Sequence, residues 1–194
     1  YSVIDKNVDL STGLYNWETI GMPGGAYQIA AQAGSDFASL VLGNAWDMQE
    51  AADVPLTSAQ VANPTFNSGI FRYTTAGNDA YIWLRNANDK TIDTSKFTRL
   101  TFRMNSNIAS PTNEGWYLNW WDSSETPHGL TGGLRAVQSG WQIYTIDLSN
   151  QAAWTGNVRR IHLKPFASGS ANATIQIDWV SVTTGSTPAN EGDL

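Results

Sequence analysis

The chain has 194 residues, enough for one substantial core and too few for two comfortable domains. Charged residues make up 14% of it and the net charge is −6, which excludes the strongly basic footprint of a nucleic-acid-binding domain. It has no cysteine, which rules out disulfides, thiolate zinc sites and cysteine nucleophiles. No apolar run approaches the roughly 20 residues of a membrane-spanning helix.

Taken in chain order, the apolar segments are short, β-branched or aromatic, and separated by turn residues, with no amphipathic helix. The pattern predicts strands over 1–4, 27–31, 39–42, 65–67, 70–74, 81–85, 99–105, 115–121, 133–136, 142–147, 158–165 and 174–183. Turns are signalled by Gly24-Gly25, Asn67-Ser-Gly69, Gly77-Asn-Asp79, Gly132-Gly133 and Ser139-Gly140. Many strands at regular spacing read as an all-β protein, an antiparallel β-sandwich of two packed sheets (jelly roll) with little or no helix. Residues 1–184 are expected to form this domain. Within it, 1–37 would be an N-terminal extension or extra strands, 38–184 the core, and 185–194 a polar tail or linker.

Four of the predicted strands carry an unusual outer face, because side chains alternate between faces along a strand. In 79–85, Ala80, Ile82 and Leu84 form an apolar face, and Tyr81, Trp83 and Arg85 the opposite one. In 99–105, Leu100, Phe102 and Met104 oppose Thr101, Arg103 and Asn105. In 115–124, Trp116, Leu118 and Trp120 oppose Tyr117, Asn119 and Trp121. In 160–165, Ile161 and Leu163 oppose Arg160, His162 and Lys164. Large aromatics on a face that ought to be solvated ask for a partner. Flat rings beside amides and cations suit a sugar, whose axial C–H faces stack on aromatics and whose hydroxyls take hydrogen bonds. If these outer faces share one sheet, Tyr81, Trp83, Arg85, Arg103, Tyr117, Asn119, Trp121 and His162 form a polysaccharide-binding surface. If they lie on two sheets, they never meet. The cations Arg85, Arg103, Arg160 and Lys164 on an acidic protein would suit an anionic glycan.

Several segments together resemble bacterial carbohydrate-binding modules with a galactose-binding-like jelly roll. They are Leu42-Gly-Asn-Ala-Trp-Asp47, Ile92-Asp-Thr-Ser-Lys-Phe-Thr-Arg-Leu-Thr-Phe-Arg103, Gly140-Trp-Gln-Ile-Tyr-Thr-Ile-Asp-Leu148 and Ile175-Gln-Ile-Asp-Trp-Val180. The resemblance spans about residues 38–183. It implies a non-catalytic module, one that can be attached to a glycoside hydrolase or lyase in a longer parent. It also implies a structural calcium held by Asp178 with Asp47 or Glu50, with backbone carbonyls and water completing the shell. A start at Tyr1 rather than Met, low charge and abundant Asn, Ser and Thr fit a processed protein that is secreted or held at the cell surface.

Two other classes stay open. A β-sandwich lyase would need His162, Arg103, Tyr117 and Asn119 to converge as base and neutralising groups. A hydrolase needs two carboxylates across a cleft, yet all five glutamates (Glu18, Glu50, Glu114, Glu125 and Glu191) fall in predicted loops or tails. A structural or adhesive subunit would instead self-associate by strand addition through its termini.

Overall fold

The computed structural model describes residues 46–84, 90–110, 115–166 and 172–185, all within one compact unit, Ala31–Leu194. The strands are β1 (Leu56–Thr57), β2 (Val61–Asn67), β3 (Ile70–Thr75), β4 (Ala80–Leu84), β5 (Ile92–Asp93), β6 (Phe97–Ser106), β7 (Tyr117–Asp122), β8 (Pro127–Gly129), β9 (Gly140–Asp147), β10 (Asn157–Phe166) and β11 (Thr174–Thr184). They form two antiparallel sheets. The six-stranded one runs β1-β4-β10-β7-β8, with β5 beside the start of β10, and the five-stranded one runs β2-β3-β11-β6-β9. The fold is therefore the expected β-sandwich. The helical pieces among the described residues are two 3-10 turns, Ala51–Asp53 and Leu148–Asn150. No helix there is long and apolar enough to cross a membrane.

Alternation builds the core between the sheets. Ala80, Ile82 and Leu84 of β4, Ile161 and Leu163 of β10, and Leu118 and Trp120 of β7 face inward. Opposite them pack Leu100, Phe102 and Met104 of β6 with Ile175, Ile177, Val180 and Val182 of β11. The buried indoles are satisfied: Trp120 Nε1 donates to the Ala153 carbonyl at 3.2 Å, and Trp154 Nε1 donates to that of Phe97 at 2.9 Å. Their rings meet edge to face, 5.3 Å apart.

Turn chemistry fits the sheet ends. Ser68 and Gly69 both have positive φ (51° and 76°), the type I′ geometry that suits a two-residue hairpin between β2 and β3. Asp147 accepts from the Ser149 N–H at 2.9 Å and caps the turn after β9.

Three expectations change. Residues 133–136 form no strand, because Gly132 and Gly133 take φ of 86° and 79°; Arg135 and Val137 make only single bridges, to Trp116 and Ser110. β1, β5 and β8 were not anticipated, since two or three residues are too few to display alternation. The strands expected over 1–4, 27–31 and 39–42 lie outside the described residues, as do residues 186–194 of the tail.

Candidate functional site

Strands β4, β10 and β7 are neighbours, so their outer faces become one surface. Cross-strand register puts Leu56, Trp83, His162, Asn119 and Gly129 in a single row across β1, β4, β10, β7 and β8. Trp121 lies opposite Arg160, and Tyr117 opposite Lys164. Directly opposed residues share a face. Six of the eight predicted binding residues therefore come together: Tyr81, Trp83, Tyr117, Asn119, Trp121 and His162. Arg85 lies outside the described residues.

His162 is the centre of the cluster and is buried. Its imidazole stacks on Tyr81 with centroids 4.7 Å apart, lies 4.2 Å from Trp121, and meets Trp83 edge-on. Trp83 and Trp121 are themselves 5.0 Å apart, and the Arg160 guanidinium sits 4.7 Å and 5.4 Å from their ring centroids. Tyr81, Trp83, Tyr117 and Trp121 stay half-buried, so each keeps ring surface in contact with water.

Among the described residues, both cations on the face have a carboxylate partner. Arg160 pairs with Glu125, which also takes Arg159 at 3.0 Å, and Lys164 Nζ lies 2.7 Å from Asp79 Oδ1. Arg160 and Lys164, two of the four cations that would suit an anionic glycan, are thus charge-compensated, by pairings between distant loops and strands that no local pattern announces.

β8 and the residue after it hold two of the polar side chains. The Tyr117 hydroxyl donates to the Leu130 carbonyl at 3.2 Å, and Asn119 Nδ2 donates to that of His128 at 3.3 Å. A Cβ at Gly129 would stand 2.3 Å from Tyr117 Oη and 3.0 Å from Asn119 Nδ2. Gly129 thus belongs to the site, as the clearing that lets both groups lie flat. Its only sequence signal was a glycine at the end of a strand too short to recognise.

Burial, then the nearby Lys164 and Arg160 charges, push the His162 pKa down to about 3, so the ring is neutral at ordinary pH. Its Nε2 is buried without a hydrogen-bond partner among the described residues. The unfolded chain takes up this proton near 6.5, whereas the folded one resists it until about 3. Between those values the unfolded state binds more protons, so acid favours unfolding. Urea titrations should show stability falling from pH 6.5 downward, by at most about 1.4 kcal/mol per pH unit from this group. His162→Phe should flatten that decline. An unchanged pH profile in the variant would remove His162 as its source.

Arg103 goes elsewhere. β6 belongs to the five-stranded sheet, where Arg103 pairs with Asp178 and its guanidinium lies 4.4 Å from the Trp141 ring. The lyase quartet is consequently split between opposite sides of the sandwich. The expected calcium donors fit poorly as well. Asp178 is engaged by a guanidinium, Asp47 Oδ1 accepts from the Gln49 N–H at 3.1 Å, and Glu50 is exposed. Among the described residues no three acidic or histidine side chains gather to hold a metal.

No protein-family model matches the sequence, and no curated protein matches it. Solved carbohydrate-binding modules are similar to this chain. One is a family 29 module complexed with cellulohexaose, with a TM-score of 0.46 and 12% identity over 65% of this chain and 77% of that one. Another is the family 11 module from Clostridium thermocellum, in complex with a β-1,3-1,4-mixed-linked tetrasaccharide. It gives a TM-score of 0.47 and 11% identity over 71% of this chain and 92% of that one. A third is a low-affinity xylan-binding module of family 86 from Roseburia intestinalis, with 0.43 and 15% over 66% and 92%.

Proposed function

We propose that the protein binds a neutral polysaccharide, without cleaving it, on the outer face of the six-stranded sheet. One observation carries this reading: Tyr81, Trp83 and Trp121 close around a neutral imidazole while both adjacent cations are already paired. Such a face offers stacking area and hydrogen bonds but little net charge. Trp83, Trp121 and Tyr81 would stack on sugar rings. Asn119, whose Oδ1 takes no donor among the described residues, and the Tyr117 hydroxyl would meet sugar hydroxyls. Each aromatic contact is worth very roughly 1 kcal/mol beyond area burial. Several along one chain give affinities of about micromolar, near −8 kcal/mol. A polysaccharide ligand fits a protein working outside the cell.

Pull-down on insoluble polysaccharides and affinity electrophoresis in soluble ones test this reading. Retention by at least one neutral glycan is expected, with no release of reducing ends. Charge compensation adds a sharper expectation. Affinity should change less than about threefold between 50 mM and 500 mM salt, because few uncompensated charges remain to be screened. A steep loss with salt, or retention by acidic glycans alone, would restore the anionic alternative.

A further inference from the structure

The opposite side of the sandwich carries a second row of the same chemistry. Register across the five-stranded sheet aligns Trp141 of β9, Asn105 of β6, Gln176 of β11, Arg72 of β3 and Thr65 of β2. Every strand of that sheet contributes one member. At about 4.8 Å per strand, the row is about 19 Å long. Trp141 and its neighbour Ile143 are 37% and 42% exposed, and with Leu56 they are the exposed large apolar side chains among the described residues. The Arg103 guanidinium, paired with Asp178, lies over the Trp141 ring, 4.4 Å from its centroid. Asn105 Nδ2 donates to Gln176 Oε1 at 2.7 Å. That bond commits one group of each amide and leaves Asn105 Oδ1 and Gln176 Nε2 without a protein partner among the described residues. Arg72 is exposed, and its guanidinium has no acidic partner there, unlike Arg160 and Lys164.

We propose that this row is a second glycan-binding strip, separate from the first face and taking a linear oligosaccharide laid across the strands. Trp141 supplies the ring platform. The two amides supply one acceptor and one donor at mid-row. The Arg72 fork reaches two adjacent sugar hydroxyls or a uronate carboxylate. A protein partner fits less well. A stable interface buries about 800 Å² per side around an apolar centre, whereas among the described residues only Trp141 and Ile143 are exposed large apolar groups on this sheet. With a binding strip on each side, one molecule could bridge two polysaccharide chains.

The experiment is calorimetric titration with cellohexaose, mannohexaose, xylohexaose and a galacturonic acid hexamer. It compares the wild type with Trp83→Ala/Trp121→Ala, Trp141→Ala and Arg72→Ala, with thermal melts alongside. Two sites per wild-type chain are expected. Trp83→Ala/Trp121→Ala should retain one, and adding Trp141→Ala should abolish it. Adding Arg72→Ala instead should weaken it at least fivefold, which keeps the test available if Trp141→Ala misfolds. Retention of a neutral hexamer assigns hydroxyls to Arg72; salt-sensitive retention of the galacturonate assigns a carboxylate. If Trp83→Ala/Trp121→Ala loses all binding, or neither Trp141→Ala nor Arg72→Ala alters what it retains, the second strip is overturned while the first face stands. If wild type binds none of the four, both readings fall.

Discussion

Trp83→Ala and Trp121→Ala should each weaken polysaccharide binding to the outer face of the six-stranded sheet at least tenfold, and together should abolish it on that face, with little change in melting temperature. The two indoles are half-buried neighbours, 5.0 Å apart, and share the Arg160 guanidinium between them. Each removes both its own stacking surface and the wall that orients the other. Central aromatic anchors of this kind cost 2 kcal/mol or more when truncated, and 1.4 kcal/mol is a factor of ten. Their outward position means that little core is lost. Affinity electrophoresis beside thermal melts reads both quantities. Unchanged retention in the double variant would make these tryptophans a stabilising cluster instead of a binding face.

Trp120→Ala should do the reverse. This residue adjoins Trp121 in sequence but points into the sandwich, fully buried against Trp154 and hydrogen-bonded to the Ala153 carbonyl. Truncation opens a cavity of nearly a whole indole and orphans that carbonyl, a loss of about 3–5 kcal/mol. For a domain of this size the melting temperature should fall by about 10 °C or more. Binding per folded molecule should survive at temperatures where the variant stays native. A melt indistinguishable from wild type would mean that β7 is turned over, with Trp120 outside. One residue of register decides which tryptophan serves the core and which the ligand.

Much of this was legible in the sequence because alternation is a local signal. Tyr81 with Trp83, Tyr117 with Trp121, and His162 between two cations each announced an outward face. The inward partners Ile82, Leu118, Trp120 and Leu163 are all buried as that pattern requires. Sheet membership was not legible, being a matter of topology. β6 shows the same alternation as β4 and β7 yet joins the other sheet, which carries Arg103 away from the cluster and beside Trp141. Charge pairing was equally hidden. Glu125 reaches Arg160 across 35 positions, and Asp79 reaches Lys164 across 85. Those long-range pairs compensate both cations described on that face. Gly129 escaped notice because its importance is the absence of a side chain, visible only once Tyr117 and Asn119 are seen to occupy the space.

The most direct test of the account is a titration of isotope-labelled protein with the neutral oligosaccharide that binds it, followed by amide and indole NMR signals. The Trp83 and Trp121 indole N–H signals, with the backbone amides of Tyr81, Tyr117, Asn119, Arg160 and His162, should shift and saturate together at one dissociation constant. If those signals stay in place while the ligand saturates the protein, the outer face of the six-stranded sheet is not where the sugar binds.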